Sequence, residues 1–298
     1  MNLVEALAPE FILIGLGWVL ARIPGWDSRL WEPLERITYW VLFPALLFYA
    51  SARTPLDGST ALPVLMVAVA IFALGVALAA LVIRIVPQPA RLAGGMFQCG
   101  FRFNSYILLA LVGRLYGESG LAVLSIIIAA VVPLANIGAV WGLARSGGIS
   151  RVAREIATNP LIISCIAGLA YSATGWKIPD IAATLFSRFG QASLVLGLLT
   201  VGAALTFAGA GRGKSLVIGM LAAKLAVLPA LAYVIIRSLD LPAPAGAVLL
   251  AFAAMPLPAS AYVLTVRLGG DGDVVAIAVT ASILASVITL PFWLMLLQ

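Results

Sequence analysis

The sequence has 298 residues, of which 63% are hydrophobic and 10% charged, and 18 Lys and Arg set against 12 Asp and Glu give a net charge of +6; its mean hydropathy is +1.12. Soluble domains carry about 25% charged residues, so this is the composition of an integral membrane protein. With no histidine in the chain, histidine base chemistry and most zinc and haem sites are excluded, and the basic residues stand singly at the ends of apolar runs, where they form no nucleic-acid patch.

A membrane span needs about 20 mostly apolar residues. That length divides the chain into ten predicted spans, near 8–23, 34–52, 61–86, 92–114, 119–144, 156–174, 188–208, 215–237, 243–266 and 273–297. The connections are short and rich in Gly, Pro, Asp and Arg, as in IPGWDSR, ARTPLDGS, VPQPAR and GAGRGK. Glu5 and Glu10 stand where a cleaved signal peptide would have basic residues, so the first apolar segment is expected to stay as a span. Cys99 and Cys165 lie inside apolar runs, without the spacing of a metal site or a disulfide framework.

Basic residues orient the spans, because cytoplasmic loops are enriched in them. The odd loops hold eleven (Arg22, Arg29, Arg36, Arg84, Arg91, Arg145, Arg151, Arg154, Arg212, Lys214, Arg267) and the even loops five (Arg53, Arg114, Lys177, Arg188, Arg237). Odd loops are therefore expected in the cytoplasm and both termini on the other side of the cell membrane. Only Arg102 and Lys224 fall well within spans.

LVGRLYGE, from Leu111 to Glu118, and LTVRLGGD, from Leu264 to Asp271, share a Leu-x-x-Arg-Leu-x-Gly-acid pattern at an offset of 153 residues. The offset pairs span four with span nine and divides the chain into two five-span repeats, 1–148 and 155–298. Five is odd, so the second repeat enters from the opposite face, a construction recurrent in secondary transporters. The predicted fold is thus all-α, ten transmembrane helices in two inverted repeats.

In AFAAMPLPASAYVLTV, Pro256 and Pro258 cannot donate backbone hydrogen bonds, so span nine must open there. The repeat offset lays Arg102 to Ser105 over Met255 to Pro258, and Gly94, Gly95 and Gly100 precede that stretch, so span four is expected to break as well. Open backbone within a membrane is tolerated only where it lines a cavity or is buried in protein. Two interrupted helices passing close together would offer free amides and half-helix N-termini, each worth roughly +0.5 charge, to an anion. The alternative is a simple proline kink rescued by a neighbouring hydroxyl.

A charge at the bilayer centre costs about 2.5–3.5 kcal/mol or more, and no Asp or Glu is predicted at the depth of Arg102 and Lys224. A guanidinium fork suits a carboxylate; pairing of Arg102 with carbonyls of the opened helix is the other reading. Lys224 can take the place of a bound sodium ion or carry a coupled proton. Around them, Gln98, Asn104, Ser105, Asn136, Pro256, Pro258, Ser260 and Tyr262 are candidate substrate contacts, with Asn136 equally suited to joining helices and Tyr262 to packing. Pro44, Gln191 and Thr200 are candidates for a facing wall.

Taken in order, FILIGLGWVLAR, VLFPALLF, FRFNSYILLAL, PLAN, NPLIISCIAGL, the lysine of span eight and MPLPASAYVLTVRLGGD make the chain resemble the auxin efflux carrier family, which spans plant auxin exporters and bacterial permeases for malonate and other organic acids. The resemblance implies an elevator-type carrier related to the bile-acid/sodium symporter fold. Spans one, two, six and seven would form its scaffold and spans three to five and eight to ten its transport domain, with the substrate at the crossing of spans four and nine. Ser-Tyr-Ile after Asn104 replaces the family's usual glycine-rich stretch, and the long cytoplasmic loop of the plant exporters is lacking. The expectation is a non-enzymatic carrier of a small organic anion in the plasma or inner membrane, without cofactor and with proton or sodium coupling, in contact with lipid and not nucleic acid; a homodimer is compatible with the sequence. A sodium-coupled symporter or a passive channel is the alternative.

Overall fold

Apolar side chains and short polar turns leave the backbone one economical way to satisfy its hydrogen bonds in lipid, which is to coil on itself. The computed structural model, which describes residues 3–26, 28–53, 58–143, 158–206 and 213–296, is accordingly all-helical, with no strand among those residues. Its helices are α1 (Leu3–Leu20), α2 (Ser28–Ile37), α3 (Phe43–Ala52), α4 (Gly58–Ile85), α5 (Ala90–Phe97), α6 (Ser105–Leu143), α7 (Pro160–Ala173), α8 (Asp180–Ala203), α9 (Lys214–Ala222), α10 (Leu228–Ser238), α11 (Ala245–Ala254), α12 (Ser260–Arg267) and α13 (Gly272–Met295). Five stretches among the described residues are long and apolar enough to cross a membrane: Ala61–Ile85, Ala90–Leu143, Asp180–Ala203, Lys214–Ser238 and Gly272–Met295. Ala8–Leu20, Pro160–Ala173 and Ala245–Ala254 are shorter apolar helices.

Proline explains two local departures from the α-helix. A π-helical turn, Thr38–Leu42, joins α2 to α3, and a second, Ala223–Val227, joins α9 to α10. Each lies just before a proline, Pro44 or Pro229. A proline ring clashes with the carbonyl four residues earlier, and one wider turn makes room for it. The amides of Phe43 and Leu228 accordingly reach back five residues, to Thr38 and Ala223.

Both copies of the Leu-x-x-Arg-Leu motif form turns. Within α6 the chain bends at Gly117, whose φ of 56° suits glycine alone, and two helices meet there. In the second copy α12 ends at Arg267, and Gly269, with φ 76°, closes a Schellman cap: Gly269 N–H donates to Val266 O at 3.1 Å and Gly270 N–H to Thr265 O at 2.8 Å.

The helix of span seven begins at Asp180, eight residues before the predicted start, because Pro179 opens it and Arg188 is carried on its exposed face. Hydropathy placed the boundary at the charge, whereas an exposed arginine does not end a helix. The expected start of span six at 156, the ends of spans seven and ten, and Arg145, Arg151, Arg154 and Arg212 lie outside the described residues.

The chain forms two compact units. The first comprises Met1–Leu65, Tyr106–Val132 and Glu155–Ala204. Within it α3 packs along α7 and α1 along α8 at positions where only glycine fits: a Cβ on Gly168 would lie 2.6 Å from Phe48 O, and one on Gly17 would run into the backbone of Leu199. The segment 106–132 is held in this unit by the stacked rings of Phe43 and Tyr106, centroids 4.6 Å apart, and by the ion pairs Arg53–Glu118 and Arg114–Glu10. The second unit comprises Met66–Ser105, Pro133–Arg154 and Leu205–Gln298. Each unit thus draws segments from both halves of the chain.

Candidate functional site: two interrupted helices

Span four follows α5 into a 3-10 turn, Gln98–Gly100, and then loses helical form until α6 begins at Ser105. Span nine leaves α11 at Met255, whose ψ of 139° is extended, and resumes as α12 at Ser260. The two open stretches bond to one another: the amide of Asn104 donates to Pro256 O at 2.9 Å. Beside that bond the rings of Phe103 and Phe252 meet edge to face at 4.8 Å.

Opening a buried helix strands polar groups, and each needs a partner. At the span-nine break the partners are specific. Lys224 Nζ donates to Ala253 O at 3.1 Å. Leu257 N–H donates at 3.0 Å to Ser282 Oγ, whose own hydroxyl donates to Val279 O. The expectation of free amides therefore needs correction for Asn104 and Leu257, whose amides are engaged by protein acceptors. The glycine argument for span four is corrected too. Gly94 and Gly95 lie inside α5, which stays helical through them; a Cβ on Gly95 would lie 2.8 Å from Thr265 Cγ2 and one on Gly94 2.7 Å from Gly142 O, so both serve close packing.

Arg102 sits in the open stretch of span four and is 8% exposed. Its Nη1 donates to Ser260 Oγ at 3.3 Å and its Nη2 to Asn136 Oδ1. Residues 34 and 158 positions away thus converge on one guanidinium. These two acceptors are neutral oxygens that hold the fork in place. Asn104 and Pro256 are buried, Ser105, Asn136 and Pro258 half-buried, and Ser260 exposed as the first residue of α12. Tyr262 is 41% exposed and lies against Gly272 at the start of α13, where an added Cβ would meet its ring at 3.1 Å. In the first unit, Thr200 spends its hydroxyl on Gly197 O and Gln191 is exposed.

Gln98 is fully buried. Its amide nitrogen donates to Ala261 O at 3.1 Å and to Thr265 Oγ1 at 2.8 Å, while its backbone carbonyl receives the amide of Arg102 at 3.0 Å.

Lys224 is 1% exposed and lies in the π-helical turn before Pro229. Its carbonyl partner is next to last in α11, where the half-helix dipole is negative and favours a cation. Pro229 has no amide to offer Leu225 O four residues earlier, and Trp293 Nε1–H fills that role at 2.8 Å. Sequence reasoning missed Ser282, Trp293 and Thr265. Leu225 was nevertheless detectable, because a proline four positions on always orphans a carbonyl.

Residues 149–294 match the family model described as Membrane transport protein, a match that includes Lys224 and the whole of span nine. No curated protein matches the chain. The family match supports the resemblance to auxin efflux carriers and indicates a membrane transporter, embedded and multi-pass; members of that family are transporters, not enzymes.

Proposed function

We propose that the chain is a secondary transporter of a small organic anion, with a carboxylate held at the crossing of spans four and nine by Arg102, Asn104, Ser105 and the exposed face of Ser260. The observation that carries the proposal is the guanidinium of Arg102, buried between the neutral oxygens of Ser260 and Asn136. An arginine fork accepts a carboxylate through two parallel bonds. Asn136 orients the fork, and Pro256, Pro258 and Tyr262 shape the surroundings.

All of these residues belong to the second compact unit, which suits an elevator-type cycle in which one body carries an intact site between faces. On this reading the two sequence repeats are inverted and interleaved, and Lys224 sets the charge of the moving body. With Lys224 already on the Ala253 carbonyl, a sodium ion is not required there, so proton coupling or uncoupled transport is favoured over sodium coupling.

The test is uptake of radiolabelled malonate and of simple monocarboxylates into proteoliposomes, with and without proton and sodium gradients. Arg102→Ala should abolish uptake and carboxylate binding while the purified protein keeps its fold. Unchanged affinity in folded Arg102→Ala rejects the site, and sodium-driven uptake replaces the coupling assignment.

A further inference from the structure

We infer that Gln98 is a positioning residue, a latch between the two interrupted helices that sets where Ser260 stands relative to Arg102, and that it does not touch the ligand. Its consequence for transport rests on the proposed anion site, but the latch is a property of the crossing itself. Gln98 is fully buried, and both hydrogens of its amide group are committed to α12, one to Ala261 O and one to Thr265 Oγ1. The amide must face this way round, since Ala261 O can only accept. Thr265 Oγ1 in turn donates to Ala261 O at 2.8 Å, closing a small ring of bonds one residue beyond Ser260. On the other side, the backbone carbonyl of Gln98 holds the amide of Arg102 at 3.0 Å. One residue therefore grips the backbone that carries the guanidinium and the helix that carries its hydroxyl partner.

Two further features fit a latch better than a wall residue. Gly95, one turn earlier, leaves no space between α5 and Thr265, with a Cβ there 2.8 Å from Thr265 Cγ2, so the helices interlock where Gln98 bonds. The amide oxygen of Gln98 is buried with no hydrogen-bond partner among the described residues. A buried orphan acceptor is unfavourable, and its retention is understandable if the two donated bonds are what the position is for.

The test reads the local charge at Ser260 without any carboxylate. Ser260→Cys is reacted with an anionic and a cationic methanethiosulfonate of similar size, the unsubstituted protein with its buried Cys99 and Cys165 serving as blank. A guanidinium at hydrogen-bond range favours the anionic reagent, and Arg102→Ala in the same background sets the ratio without it. Gln98→Leu should lower the anionic preference about tenfold, the low end of what focused charge does to association rates. Thr265→Val should lower it in part and Thr265→Ser should restore it, an answer that remains available if Gln98→Leu fails to fold. The same changes at Gln98 and Thr265, made with Ser260 intact, should lower malonate affinity in step with the reagent ratio. A ratio unmoved by Gln98→Leu and Thr265→Val overturns the latch. A ratio that moves, while the protein with Ser260 intact binds no carboxylate, keeps the latch and overturns the anion site instead.

Discussion

Lys224 Nζ lies 3.1 Å from Ala253 O, so the ammonium of span eight closes the carbonyl end of the first half of span nine. A half-helix C-terminus carries partial negative charge, which favours a cation there, and the bond satisfies the Ala253 carbonyl inside a fully buried site. The cation thereby becomes part of whatever body span nine belongs to.

Lys224→Gln keeps a donor for Ala253 O and removes one charge. If the body carrying the site moves through the membrane field, each elementary charge on it is worth about 2.3 kcal/mol per 100 mV. Malonate uptake by the variant, measured at imposed diffusion potentials, should then respond to voltage as though one charge fewer moved. Identical voltage dependence in folded variant and parent would exclude Lys224 from the moving charge.

Asn136→Asp places a carboxylate against the guanidinium of Arg102, where the amide oxygen now accepts from Nη2. The new side chain competes with any anionic ligand for the same fork. Malonate affinity by titration calorimetry should fall at least tenfold, about 1.4 kcal/mol, while the ligand-free protein melts no lower than the parent.

Trp293→Phe removes the indole donor from Leu225 O, a carbonyl that Pro229 leaves without its helical partner. A buried orphan acceptor costs about 1–3 kcal/mol, so the melting temperature should drop. Pro229→Ala restores an amide at that position, and the double variant should be more stable than the sum of the single changes. Additive effects would show that the two residues do not share the carbonyl.

Gly95→Ala drives a methyl group to within 2.8 Å of Thr265 Cγ2 and 3.2 Å of Val275 Cγ2. Overpacking of this kind costs about 1–3 kcal/mol. Thr265→Ser deletes the nearer methyl and keeps the hydroxyl that Gln98 uses, so it should recover most of the loss in a thermal melt. No recovery would mean that Val275 or the backbone sets the limit.

Much of this architecture follows from the chain alone. Runs of apolar residues at span length permit only helices in lipid, and Pro256 and Pro258 lack the amides a continuous helix requires, so the opening of span nine could be read directly. The depth of Arg102 and Lys224 marks them in the sequence itself, because a charge in an apolar run is costly wherever it points. The turn at Gly117 falls in the gap between the predicted spans 92–114 and 119–144.

The pairings could not be read in this way. Span four carries no proline, and nothing local says that Asn104 would give its amide to Pro256, that Ser282 would take that of Leu257, or that Trp293 would serve Leu225. A serine or tryptophan in an apolar helix has the same sequence signature whether it faces lipid or an orphaned backbone group. The glycines of α5 showed the limit most clearly: their composition suggested a break, and their contacts show close packing. Sequence sets which polar groups a helix must leave unsatisfied, since that depends on neighbours along one strand of chain. Which distant group answers each of them depends on other helices, brought up from 25 residues away for Leu257 and 68 for Leu225, and only the tertiary structure decides that.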